Sequence, residues 1–119
     1  MTQKYLKQLV KICDYPELQR LWKPKVGDEY YHTFDEMVYF ADENSSPDVL
    51  KEYHKWLPRI EDCIRLMGNK FWKLVDRIEG IGWWYACYPN KDDKEQYSKN
   101  KDPRLACLKA LNSILKGGR

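Results

Sequence analysis

Gly80-Ile81-Gly82-Trp83-Trp84-Tyr85-Ala86-Cys87-Tyr88 is the stretch on which the fold turns. Its last six residues are aromatic or small, a composition that packs well on a pleated surface, so they predict a strand. The glycines ahead of them supply a turn, because glycine reaches the backbone conformations that tight turns demand. The preceding segment, Phe71 to Glu79, is ambiguous when read by itself. Phe71, Leu74, Val75 and Ile78 have helical spacing, whereas Trp72, Leu74 and Ile78 also fit one face of a strand. The glycine turn and the aromatic strand beyond it favour strand, and the two segments together make a hairpin.

Outward from this hairpin the pattern is helical on both sides. After it, Pro89 to Lys101 is polar, lysine-rich and without periodicity, and reads as a loop. Asp102 then caps a helix that Pro103 starts; Leu105, Leu108, Leu111 and Leu115 repeat along one side, and Gly117-Gly118 ends it. Before the hairpin, Ser45 or Ser46 caps a short helix that opens at Pro47 and runs to about Lys55. Trp56-Leu57 reads as a corner, because Pro58 cannot continue a helix, and a second helix from Pro58 buries Ile60, Cys63, Ile64 and Met67 before stopping at Gly68-Asn69.

The N-terminal half shows no sequence repeat of the C-terminal half and is read from its own signals. Leu6, Leu9, Val10 and Cys13 form the apolar side of a helix over Thr2 to Cys13, and Pro16 begins a short one that Pro24 closes. Val26-Gly27-Asp28 is a turn, and Glu29–His32 with Glu36–Ala41 forms a first hairpin. The order α-ββ-α-ββ-α defines an α+β protein, most simply a small antiparallel sheet of two hairpins packed with helices. At 119 residues, with 43% hydrophobic and 33% charged residues, the chain suits one compact soluble domain. No apolar run reaches the roughly 18 residues of a membrane span and no signal-peptide core is present, so a cytoplasmic protein without a membrane partner is expected.

Residues able to carry covalent chemistry are sparse. The four cysteines are dispersed among apolar neighbours with no CxxC pair, and read as reduced core residues. Cys107 lies near Arg104 but among leucines and alanines, where burial raises a thiol pKa. No serine sits in a GxSxG elbow, and Gly80-Ile81-Gly82 lacks the third glycine and the helix of a phosphate-binding turn. Of the two histidines, His32 with Asp35 or Glu36 permits the sketch of a metal site, although a solvated hairpin edge accounts for the same residues. His54, near a helix end, suits capping or packing. The sequence therefore points to a non-enzymatic protein that needs no cofactor and no metal.

Charge and aromatic content are more informative. Residues 1–25 sum to +4, residues 26–56 to −6 and residues 57–119 to +5, within a net charge of +3. Lys91, Lys94, Lys99 and Lys101, if brought beside Arg104, Lys109 and Lys116, would make a phosphate-friendly patch next to Trp83, Trp84 and Tyr85, although Asp92, Asp93, Glu95 and Asp102 are interleaved. Five tryptophans and nine tyrosines exceed what so small a core needs, and those left outside mark a recognition surface. Trp83 and Trp84 must face opposite sides of their strand.

Trp22-Lys23-Pro24-Lys25-Val26-Gly27-Asp28, Trp56-Leu57-Pro58-Arg59 opening a helix, the aromatic strand, and Asp102-Pro103-Arg104-Leu105-Ala106-Cys107-Leu108-Lys109-Ala110-Leu111 together resemble a family of small proteins encoded in bacteriophages and prophages. The final strand and helix resemble phage domains built as a helix-sheet-helix sandwich. A weaker similarity is to antitoxin-like and double-stranded-RNA-binding domains, which also end in a sheet and an alanine-rich helix. The resemblance implies a phage or bacterial origin and an architecture, and no catalytic residue. The expected function is that of a small accessory protein binding a protein partner, or a second copy of itself, through an aromatic surface at the second hairpin. The alternative is a nucleic-acid-binding module using the basic loop and C-terminal helix.

Overall fold

The apolar side of the first periodic segment forms helix α1 (Gln3–Cys13), whose N-terminus is capped by the Thr2 hydroxyl accepting the Tyr5 N–H at 3.1 Å. Helix α2 (Pro16–Arg20) starts on its proline, as a residue without an N–H can at a helix start. The computed structural model describes residues 1–77 and 82–117, and the chain divides into two compact units, Met1–Pro58 and Arg59–Arg119.

In the first unit, strands β1 (Glu29–His32) and β2 (Met37–Phe40) form the expected hairpin, with Tyr30 opposite Tyr39. Gly27 makes the entry turn at φ 92°, a conformation that strains any side-chain-bearing residue. Helix α3 (Pro47–Tyr53) is capped by Ser46. The Trp56-Leu57 corner is instead strand β3 (Lys55–Trp56), which pairs with β1 and completes a three-stranded antiparallel sheet in the order β2-β1-β3. A two-residue strand leaves no alternation to read. Its partner on the other side is a side chain: Gln19 Oε1 accepts the Trp56 N–H at 2.8 Å, while Gln19 Nε2 donates to the carbonyls of Trp56 at 3.0 Å and Cys13 at 2.8 Å. One amide thus supplies the donor and acceptor of a missing strand residue. Trp56 also stacks on Trp22, with planes 4° apart and centroids separated by 6.2 Å.

Asp28 is 1% exposed beneath this stack. Its Oδ2 accepts the Trp22 indole N–H and the Lys25 backbone N–H, each at 3.0 Å, and its Oδ1 pairs with Lys25 Nζ at 2.6 Å. Burial alone would push the carboxyl up, but the bonds from Lys25 and Trp22 outweigh it and leave it below its ordinary 3.8.

In the second unit, helix α4 begins at Ile60, two residues after Pro58, and runs to Met67; Asp62 folds back to accept the Arg59 N–H at 3.0 Å and fixes that start. Gly68 terminates it at φ 57°. Strands β4 (Lys73–Arg77) and β5 (Trp83–Pro89) pair antiparallel, so the ambiguous segment is a strand over its described residues. Gly82 has φ 81°, while Gly80 and Ile81 of the expected turn lie outside the described residues, as does Gly118 beyond the last helix.

The lysine-rich loop is largely a strand, β6 (Glu95–Asn100), paired with β5 to give the order β4-β5-β6. Its inward positions are polar, so no apolar alternation announced it. Each is satisfied locally: Ser98 Oγ meets the Tyr88 hydroxyl at 3.4 Å, Gln96 donates to the Pro89 carbonyl at 3.1 Å, and Asn100 accepts the Asp102 N–H at 2.9 Å. Asn90 organises the intervening turn by accepting the N–H groups of Asp92 and Lys94. Helix α5 (Pro103–Lys116), capped by Asp102, packs on α4, β5 and β6 and buries Leu105, Ala106, Cys107, Leu108, Ala110 and Leu111. The fold is α+β, with each hairpin inside its own three-stranded antiparallel sheet packed with helices. Among the described residues, no helix is long and apolar enough to cross a membrane.

Candidate functional site

Period-two geometry sorts the second sheet into two faces. On β5 and β6, Ala86, Tyr88, Gln96, Ser98 and Asn100 share one face; Ala86 and Tyr88 are buried there and α5 packs on these two strands. The opposite face carries Trp83, Tyr85 and Cys87 from β5, Glu95, Tyr97 and Lys99 from β6, and Lys73 and Val75 from β4. Trp83 and Trp84 accordingly separate, with Trp84 on the face of Ala86.

On this outer face the side chains engage in a definite pattern. Lys99 Nζ lies 5.1 Å and Lys101 Nζ 5.7 Å from the centroid of the Trp83 ring, both within the range of a cation–π contact. Tyr85 and Tyr97 meet edge to face with centroids 4.9 Å apart. Lys73 pairs with Glu95 at 3.1 Å, which neutralises the carboxylate that the strand carries on this side. No carboxylate pairs with Lys99 or Lys101 among the described residues, and both lysines are exposed. Tyr97 is 51% exposed. The result is an aromatic surface with two lysine heads resting on one of its rings.

The structure brings together Trp83, Tyr85, Lys99 and Lys101, and sets Trp84, Lys91 and Lys94 apart from them. Lys91 and Lys94 belong to the β5–β6 turn, about 20 Å of strand away from Lys101. Lys91 lines a different groove of about 470 Å³ with Lys70, Tyr88, Asp93, Gln96 and Ser113. Arg104 is half-buried in the first turn of α5. Pairing into β6 stretches the segment that a loop would have let collapse, and so sets Lys94 and Lys101 at opposite ends of the strand. Sequence reading missed Tyr97, whose role depends on β6 being a strand.

The histidines lie in the first unit. Their rings stack at 4.2 Å, His32 Nδ1 accepts the Asp35 N–H and His54 Nδ1 accepts the Thr33 N–H, each at 3.3 Å. Asp35 Oδ1 is 3.2 Å from His32 Nδ1, and the other Asp35 oxygen accepts the Tyr39 hydroxyl at 2.5 Å. That bond, ahead of the neighbouring imidazoles, holds Asp35 below its ordinary range. Burial, assisted by His32, pushes the imidazole of His54 down; the residue is the C-cap of α3, and its ring packs against Tyr30, His32 and Phe34. Both Nδ1 atoms are thus engaged by backbone amides. Asp28, which sequence alternation would place with His32, precedes β1 and is committed to Trp22 and Lys25 instead. No cluster of three or more His, Cys, Asp or Glu that could hold a metal occurs among the described residues.

All four cysteines are buried, and burial, with Asp102 adding to it, pushes the Cys107 thiol up to about 11. The native protein is therefore expected to leave its four thiols unlabelled by a disulfide reagent over minutes, with all four reacting once it is unfolded in denaturant. Rapid labelling of a thiol in the native state would contradict this burial.

This chain matches no family model, no curated protein and no solved structure.

Proposed function

We propose that this protein is a non-enzymatic accessory factor, of bacterial or prophage origin, that acts by binding a partner through the outer face of its second sheet. The observation that carries the reading is the pair of lysines over Trp83 beside the Tyr85–Tyr97 pair. Rigid aromatic side chains give large contact area for little loss of conformational freedom, and cations already seated on a ring enter an interface partly organised. The unit that holds this face also carries the basic excess: residues 1–58 have eight basic and ten acidic residues, whereas residues 59–119 have thirteen and eight.

The test uses a lysine pair whose removal spares the core. Tagged wild-type protein is expected to retain material from a bacterial extract that a Lys99→Ala/Lys101→Ala double variant releases. Lys99 and Lys101 should also lose reactivity toward an acetylating reagent in the presence of that extract. Equal retention by both proteins, with the two lysines unprotected, would place binding elsewhere.

A further inference from the structure

We infer that the ligand of this outer face is a single-stranded nucleic acid, with bases stacked on Trp83 and the Tyr85–Tyr97 pair and phosphates held by Lys99 and Lys101; the inference rests on the binding role proposed above. Trp83 and Tyr85 are two residues apart on β5, about 6.6 Å along the strand, and so present successive rings in a row. Antiparallel register sets Lys99 opposite Tyr85, and Lys101, one residue past β6, reaches back over Trp83. Rings thus alternate with cations across neighbouring strands. A nucleotide has the matching composition, a planar base that any aromatic face accepts and an anionic phosphate beside it.

The alternatives fit this face less well. An acidic peptide would satisfy the lysines but would bring no planar group for the rings. A duplex keeps its bases stacked inside, and its major groove is read by a projecting helix or ribbon, whereas a sheet face with aromatic rings meets splayed bases. The Lys73–Glu95 pair matters here because it sets a cation beside the carboxylate that β6 carries on this face.

The experiment measures anisotropy of a fluorescein-labelled 12-nucleotide single strand, as DNA and as RNA, titrated with full-length protein between 50 and 200 mM salt, on the scale used for such titrations. Two lysine–phosphate contacts on a single strand give a slope of log K against log salt of about −1.4. The Lys99→Ala/Lys101→Ala variant should remove most of that slope. Trp83→Ala should weaken binding about 10- to 100-fold, with Trp83→Phe recovering part of the loss; the phenylalanine variant guards against misfolding of the alanine one. The duplex of the same sequence should bind more weakly than either strand.

Absence of single-strand binding at 50 mM salt, or binding that Trp83→Phe, Trp83→Ala and the double lysine variant all leave unchanged, would overturn the inference. So would polyglutamate binding as tightly as the oligonucleotide with the same dependence on Lys99 and Lys101, a result that assigns the face to an acidic protein. In each of these cases extract retention that depends on Lys99 and Lys101 still decides the wider binding role separately.

Discussion

Asp28→Ala is expected to lower the stability of the protein by about 3 kcal/mol, measured by urea unfolding at neutral pH. The carboxylate is almost fully buried and receives the Trp22 indole and the Lys25 amide, so its removal leaves two donors without an acceptor under the Trp22–Trp56 stack. Lys25 supplies the shortest contact, yet its side chain is 61% exposed, and an ion pair with one partner in solvent contributes little. Lys25→Ala should therefore cost less than about 1 kcal/mol. Comparable losses from the two substitutions would contradict this assignment of the energy to the buried hydrogen bonds.

The same residue sets a pH dependence. Its carboxyl lies lower in the folded chain than its ordinary 3.8, so its stabilisation is fully present above that value and disappears as pH falls through the lower folded value. The stability gap between wild type and Asp28→Asn should narrow in that acid window. His54 acts in the same direction at higher pH: its imidazole is held below 6.5, so stability declines as pH falls from 6.5 toward its folded value. A gap independent of pH down to full acid unfolding would remove Asp28 from this role.

Gln19→Leu is the second large effect, again about 3 kcal/mol. The substitution nearly preserves volume but removes the Gln19 amide from the Trp56 N–H and carbonyl in a partly buried site, and takes from the Cys13 carbonyl one of its two donors, the Tyr15 N–H remaining. Gln19→Glu distinguishes hydrogen bonding from packing. A carboxylate facing two carbonyls is raised in pKa by the folded state, so its penalty should be full at neutral pH and shrink as acid restores a proton. A penalty for Gln19→Glu that stays constant with pH, or a neutral Gln19→Leu, would show that β3 does not need this amide.

These two residues also mark where sequence stopped being informative. Long-period signals carried well: the apolar side of α1, the leucine repeat of α5, the two aromatic or β-branched hairpins and the Ser46 and Asp102 caps all appear in the structure at or near their expected positions. β3 and β6 did not, for opposite reasons. β3 is too short for any periodicity and is stabilised by a side chain 37 residues away. β6 has a clean alternation of exposure, but its inward residues are Gln96, Ser98 and Asn100, each satisfied by a particular hydrogen bond and not by an apolar core.

The site followed the same rule. Trp83 and Tyr85 were legible because an aromatic strand must place alternate rings outward, and Lys99 and Lys101 because they are cations nearby in sequence. Which lysines reach the rings was decided by register, a property of pairing. Lys91 and Lys94, equally close in sequence, were carried to the far end of the hairpin by the same pairing, and Tyr97 entered the face through it.

Two-dimensional NMR of the protein titrated with an unlabelled 12-nucleotide single strand tests the central claim most directly. The Trp83 indole resonance and the backbone amides of Tyr85, Tyr97 and Lys99 are expected to move together, with the Trp22 and Trp56 indoles, buried in the first unit, unchanged. Shifts confined to the groove beside Lys70 and Lys91, or to residues of the first unit, or no shifts at all, would contradict it.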